Sequence, residues 1–226
     1  MKIIQNVILL FVAGLGIGFF VACNGSTQTS SSADTAAQAT DTTPAQTSSM
    51  AEDTTKSANG LMKPMNDMMT KMHAMQMTGD FDIDFANMMI EHHQSALDMA
   101  QVELSQGKDE KMKSKAQEII TKQQKEQQEL RDFVQGYKAS GMKHGEGEIQ
   151  KSMSAMMNKM KSMQTSGNID KDFAIMMVSH HQDGISMAKM ELKNGMSDKL
   201  KQMAQKGIDD QQKDIKEFNT WLSQNK

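Results

Sequence analysis

Two stretches of the chain, residues 61–138 and 149–226, carry apolar positions at helical spacing, and they carry them in the same order. Sliding the chain along itself by 88 residues aligns the two without a gap. "DFANMMIEHHQSALDMAQVEL" from Asp84 falls on "DFAIMMVSHHQDGISMAKMEL" from Asp172, and "LMKPMNDMMTKMHAMQ" from Leu61 falls on "IQKSMSAMMNKMKSMQ" from Ile149. Each repeat predicts three helices. The first bears a methionine stripe at spacings of three and four: Met62, Met65, Met69 and Met72, then Met153, Met157, Met160 and Met163 in the copy. "TGDFD" and "SGNID" break these helices and supply polar starts for the next. The second helix runs from about Asp82 to Gln106 and again from Ile169 to Asn194, each stopped by a glycine, Gly107 and Gly195, as a C-terminal cap would be. The third is polar. No β-alternating run is present and no proline follows Pro64. The predicted fold is all-α: a ferritin-like antiparallel four-helix bundle built from the two repeats, with the additional Met-rich helices packed on or beside it.

Ahead of the repeats the pattern changes twice. Lys2 and the apolar run "VILLFVAGLGIGFFVA" read as an export signal, residues 1–22, too short for a membrane span. The single cysteine, Cys23, follows directly in a lipobox-like setting, which predicts lipidation there. Residues 24 to about 60 are Ser, Thr, Ala, Gln and Asp with almost no large apolar side chain, so a flexible tether is expected. The expected location is the periplasm or cell surface, with membrane attachment only through the N-terminal lipid anchor. With no other thiol, disulfides and thiolate chemistry drop out.

Composition adds one anomaly: 25 methionines against ten leucines, with one Trp and one Tyr. Methionine is either filling leucine's place in the core or donating sulfur. A net charge of −3 offers no basic patch for nucleic acid.

At about 100° per residue, Phe85, Met89, His93, Ala100 and Leu104 point to the bundle interior, and Met88, His92 and Met99 form a line to one side. Met88 with His92, and Met89 with His93, are i, i+4 pairs able to share an ion. Repeat 2 keeps Met176, His180 and Met187 in one line and Met177 and His181 in the other. Ala96 and its counterpart Gly184 leave a notch one turn beyond the histidine. Thioethers suit Cu(I) and Ag(I), and imidazole binds copper in both oxidation states, Cu(II) included; zinc would ask for cysteines or "HExxH". A di-iron bundle needs Glu-x-x-His, and no histidine here has Glu three residues before it. Glu103 and Glu191 fall on the inward side, where each either orients an imidazole, ligates, or hydrogen-bonds at a helix end. A further site at Met72, His73 and Met75 is expected in repeat 1 alone, because its copy has Lys161, whose ammonium has no lone pair.

The "MMxxHHQ" helix with "MA" beyond it and Met-rich flanks resembles a bacterial exported family catalogued as domain of unknown function 305, which includes the CopM-type copper-binding proteins. The resemblance spans residues 61–226 in two tandem copies. It implies copper binding outside the cytoplasm at Met88, His92, His93 and Met99, and at Met176, His180, His181 and Met187, in a role of Cu(I) sequestration for copper tolerance. A copper exporter or sensor of the envelope is the implied partner. No nucleophile with an adjacent base, phosphate loop or redox motif is present, and no catalysis is expected. The alternative is a structural protein that offers Met-rich grooves to partner helices without metal.

Overall fold

The described residues form six helices: α1 (Ser49–Ala74), α2 (Phe81–Gln106), α3 (Glu110–Gly136), α4 (Glu146–Lys161), α5 (Ile169–Asn194) and α6 (Asp198–Gln224). The structure, a computed structural model, describes residues 49–141 and 145–226, with side-chain surroundings from Gly60 onward. The export signal, Cys23 and the tether up to residue 48 lie outside the described residues, and none of the described helices is long and apolar enough to cross a membrane. The described elements belong to one unit, Ala45–Lys226. No strand occurs among the described residues, so the all-α expectation holds.

The helix boundaries follow local chemistry. Asp80, Asp109, Asn168 and Ser197 cap α2, α3, α5 and α6, each side chain accepting a hydrogen bond from a first-turn N–H. The turns before α2 and α5 are held from within. Asp84 accepts from Thr78 and Gly79, and Asp172 accepts in the same way from Ser166 and Gly167. Gly79 and Gly167 take φ of 85° and 83°, which a side chain would strain. One boundary departs from the sequence reading. The tether was expected to reach residue 60, but α1 begins at Ser49.

The α2–α3 and α5–α6 hairpins are the paired units; α2 crosses α5, α1 lies on α2 and α5, and α4 lies on α1 and α5. Lysines tie the Met-rich helices down: Lys71 Nζ lies 2.9 Å from Glu91, and Lys159 Nζ donates to the Ser179 carbonyl and to Gln182.

The core is in two parts. One gathers the start of α2 (Phe81, Phe85, Met88, Met89) with the end of α5 (Ile185, Met187, Ala188); the other gathers the end of α2 (Ala96, Leu97, Met99, Ala100) with the start of α5 (Phe173, Ala174, Met176, Met177). Between them runs a buried polar belt of His92, His93, Ser95, Gln123, Ser179, His180, His181 and Gln211.

Candidate metal centre

The belt is built where α2 and α5 cross. His92 and His180 stack with ring centroids 3.6 Å apart, and the Nε2 of each lies 3.0 Å from the other's backbone carbonyl. A carbonyl only accepts, so each Nε2 carries the proton and each Nδ1 keeps the lone pair. Burial is the main reason that both stay neutral, their pKa values held well below the ordinary histidine range; neighbouring imidazoles add to it. The sequence reading set the His92 line beside the core. The structure puts it at the centre, because the side of α2 bearing Met88, His92 and Met99 is the face that meets the other repeat. The notch expected at Gly184 receives the histidine of the opposite repeat: a Cβ there would stand 2.8 Å from His92 Cε1.

His93 and His181 turn toward the polar helices. His93 Nε2 lies 3.5 Å from Glu126 Oε2, and His181 Nε2 lies 3.5 Å from Asp214 Oδ2. Burial, then the charge of His181, push His93 down to about 3. Glu126 and Asp214 are equivalent positions of the repeats, but their surroundings differ. Lys115 Nζ reaches Asp214 at 2.5 Å, Glu217 at 2.6 Å and Glu118 at 3.2 Å. Burial acts against the Lys115 charge, yet these carboxylates hold its pKa well above the usual range.

The Nδ1 atoms of all four histidines are buried without a protein partner, as are Ser95 Oγ, Ser179 Oγ, Gln123 Oε1 and Gln211 Oε1. A buried unpaired acceptor costs about 1–3 kcal/mol, so the belt has capacity for a ligand or for water. Among the described residues, no group of three or more His, Asp or Glu is arranged to hold a metal ion.

Methionines from four helices line one seam. Met72 of α1, Met88 of α2, Met153 and Met156 of α4, and Met187 and Met190 of α5 line a single seam with no room for a water molecule. It joins Met88 and Met187, candidates from different repeats. Met99, Met176 and Met177 lie in the other half of the core, and Met89 lies beside His93. His73 is exposed in the last turn of α1 while its neighbour Met72 is 1 % exposed and Met75 is half-buried, so the structure does not gather these three.

Glu103 and Glu191 do not reach the imidazoles. Each lies under the glycine that ends its helix, and each faces an aspartate of the opposite repeat. Burial first, then Asp170, lifts Glu103 to about 8; burial, then Asp82, lifts Glu191 to about 8. Asp170 accepts from the backbone N–H groups of Lys108 and Asp109, and Asp82 from those of Met196 and Ser197. Burial thus favours the protonated form of each Glu, beside a carboxylate that holds a hairpin loop. Gly107 and Gly195 are not left-handed caps: their φ values are −65° and −62°. Glycine is needed because a Cβ would stand 2.1 Å and 2.0 Å from the glutamate oxygens.

Glu126, Asp214, Lys115, Asp82 and Asp170, which face these histidines and glutamates or their partners, were not singled out from the sequence. The 88-residue offset was the available signal, since it sets Glu126 on Asp214 and Asp82 on Asp170.

The family described as "Domain of unknown function (DUF305)" matches residues 25–134 and 82–222. The chain belongs to the DUF305 family. The two overlapping DUF305 matches agree with a helical unit present twice. A crystal structure of a DUF305 fragment from Deinococcus radiodurans is similar at 17 % identity and a TM-score of 0.49, over 64 % of this chain and 96 % of that one. No curated protein matches this DUF305 chain.

Proposed function

We propose that this DUF305 chain sequesters or buffers Cu(I), with Ag(I) as a surrogate, through methionine thioethers, and that it does so outside the cytoplasm in support of copper tolerance. The observation that carries the reading is the six-methionine seam drawn from α1, α2, α4 and α5. Thioethers are neutral, soft donors that favour Cu(I) and Ag(I) over zinc, magnesium or calcium. A seam with no room for water favours an ion that sheds its hydration, and methionine's three rotatable bonds let the sulfurs turn onto it. Met72, Met88 and Met187 are the donors expected from sequence; Met153, Met156 and Met190 join them. The His92–His180 stack then serves to hold the two repeats in register, and the chain acts as a binder and not as an enzyme.

Export through the N-terminal signal, anchoring at Cys23, and exchange of copper with an envelope exporter or sensor complete the proposal. The rival reading needs a methionine groove on the surface, and the burial pattern disfavours it. Among the described residues only Met196 is an exposed large apolar side chain, at 54 %. Competition tests the metal assignment: Cu(I) and Ag(I) should bind with an excess of Zn²⁺ present, and displacement of Cu(I) by equimolar Zn²⁺ would reject the soft-donor reading.

A further inference from the structure

We infer that the hollow where α3 and α5 begin and α6 ends is a docking site for an extended segment of a partner protein, one that carries a tyrosine with an acidic residue three positions after it. None of the seam's methionines lines this hollow, and the inference does not rest on the copper reading.

Repeat 1 supplies the template, because there the equivalent place is plugged by the chain that leaves α3. The Tyr137 ring stacks on Phe133 with centroids 4.7 Å apart, and its hydroxyl donates to Asp82 Oδ2 at 3.0 Å. Ser140, three residues on, donates from its backbone N and its Oγ to Asp80 Oδ2 at 2.7 and 2.8 Å. Shifted by 88 residues, Phe133 becomes Trp221, Asp82 becomes Asp170, Asp80 becomes Asn168 and Tyr137 becomes Asn225. Asn225 turns its side chain back to the Trp221 carbonyl, 2.8 Å away, and puts no ring against Trp221.

The result is a hollow of about 290 Å³ lined by Lys108, Asn168, Asp170, Lys171, Trp221 and Asn225. Small-ligand sites begin at about 300 Å³, so a phenol ring with a short stretch of backbone fits. Asp170 is 6 % exposed, and its Oδ1 holds the Lys108 and Asp109 N–H groups as Asp82 holds those of Met196 and Ser197. Its carboxylate is therefore already fixed where a phenolic hydroxyl would donate.

The rim decides what the occupant carries besides the ring. Asp80 presents a carboxylate to the donors of Ser140, whereas Asn168 uses its Oδ1 on the Lys171 N–H and is left with Nδ2, a donor. Lys108 and Lys171 stand where repeat 1 has Met196 and Ile83. Asp109, also in the lining, has its carboxylate committed to the Lys111 and Met112 N–H groups at the start of α3. Where the plug of repeat 1 donates, the occupant of repeat 2 must accept, and two ammonium groups favour a carboxylate there. A segment follows from the template, in which the ring and the polar contact belong to one chain that leaves Tyr137 in an extended conformation.

Trp221 is the one tryptophan of the chain, so its emission, excited to the red of tyrosine absorption, reports the site directly. The full-length chain is titrated with acetyl-Gly-Tyr-Ala-Ala-Glu-Gly-amide. A saturable change with a dissociation constant of about 1 mM or tighter is expected, weakening as salt is added. The same peptide with phenylalanine for tyrosine should bind roughly tenfold more weakly, because Asp170 loses its donor. Asn225→Tyr writes the plug of repeat 1 into repeat 2; it should shift the emission by itself and abolish the response to the peptide. Lys171→Glu reverses one charge on the rim, should weaken binding severalfold, and decides alone if the tyrosine variant does not fold. No saturable change in the wild-type chain overturns the site, as does a folded variant that binds the peptide as tightly as the wild type. Equal affinity for the phenylalanine peptide, or for free 4-hydroxyphenylacetate, overturns the tyrosine segment.

Discussion

His92 and His180 each donate Nε2–H to the other's backbone carbonyl at 3.0 Å while their rings stack 3.6 Å apart. Two equivalent residues 88 positions apart therefore form the joint between the repeats. Removing either imidazole leaves a carbonyl without its donor and a void at the crossing. His92→Ala and His180→Ala should each destabilise the apo protein by about 3 kcal/mol, at least as much as His93→Ala. Urea unfolding of the three alanine variants checks the order, and a larger loss at His93 than at His92 would move the joint elsewhere.

The buried titratable groups set opposite pH limbs. His92, His93 and His180 are held neutral when folded, whereas the unfolded chain binds their protons below about 6.5, so stability falls as pH drops below that value. Glu103 and Glu191 do the reverse. Folded, they keep protons up to about 8; unfolded, they release them near 4.5, so their contribution is full below 4.5 and lost as pH rises toward 8. Three histidines outweigh two glutamates below 6.5, and the glutamates act alone above it. Apo melting temperature should peak near pH 6.5, and a monotonic rise from pH 5 to 9 would contradict the neutral-acid assignment.

Glutamine mimics a protonated glutamic acid that cannot ionise. Glu103→Gln with Glu191→Gln should flatten the alkaline limb, so that the variant gains on wild type between pH 7 and 9 and not at pH 5. Paired thermal melts measure this, and an equal shift at both pH values would point to packing instead.

Gly184 has no space for a side chain: a Cβ would stand 2.5 Å from Gln211 Oε1 and 2.8 Å from His92 Cε1. Gly184→Ala should cost about 1–3 kcal/mol through overpacking. Combined with His92→Ala the loss should be less than additive, because the second change removes the atom that collides. Strict additivity would separate the two residues.

The periodicity of "DFANMMIEHHQSALDMAQVEL" was enough to place α2 and α5 to within a residue, and the repeat foretold their pairing. What it did not give was direction. A helical wheel ranks faces by apolarity, and the side bearing Met88, His92 and Met99 is as apolar as the one bearing Phe85 and Met89, so nothing local says which meets α5 and which meets α3. Gly107 read as a helix stop because it is one, but the cause, a neutral Glu103 carboxyl pressed against it, depends on Asp170, 67 residues from Glu103 in the chain. The partners of His93 and His181 were hidden for the same reason: Glu126 and Asp214 come from α3 and α6, whose polar sequences single out no one carboxylate.

Anaerobic Cu(I) titration under a competing chelator, comparing the full chain with its Met72→Leu, Met153→Leu, Met187→Leu triple variant, tests the central claim most directly. Leucine keeps the apolar volume of the seam and removes the sulfur. The wild-type chain should bind Cu(I), and the variant, folded to the same helical content by circular dichroism, should lose at least one equivalent. A variant that binds Cu(I) as fully and as tightly as the wild type would contradict the account.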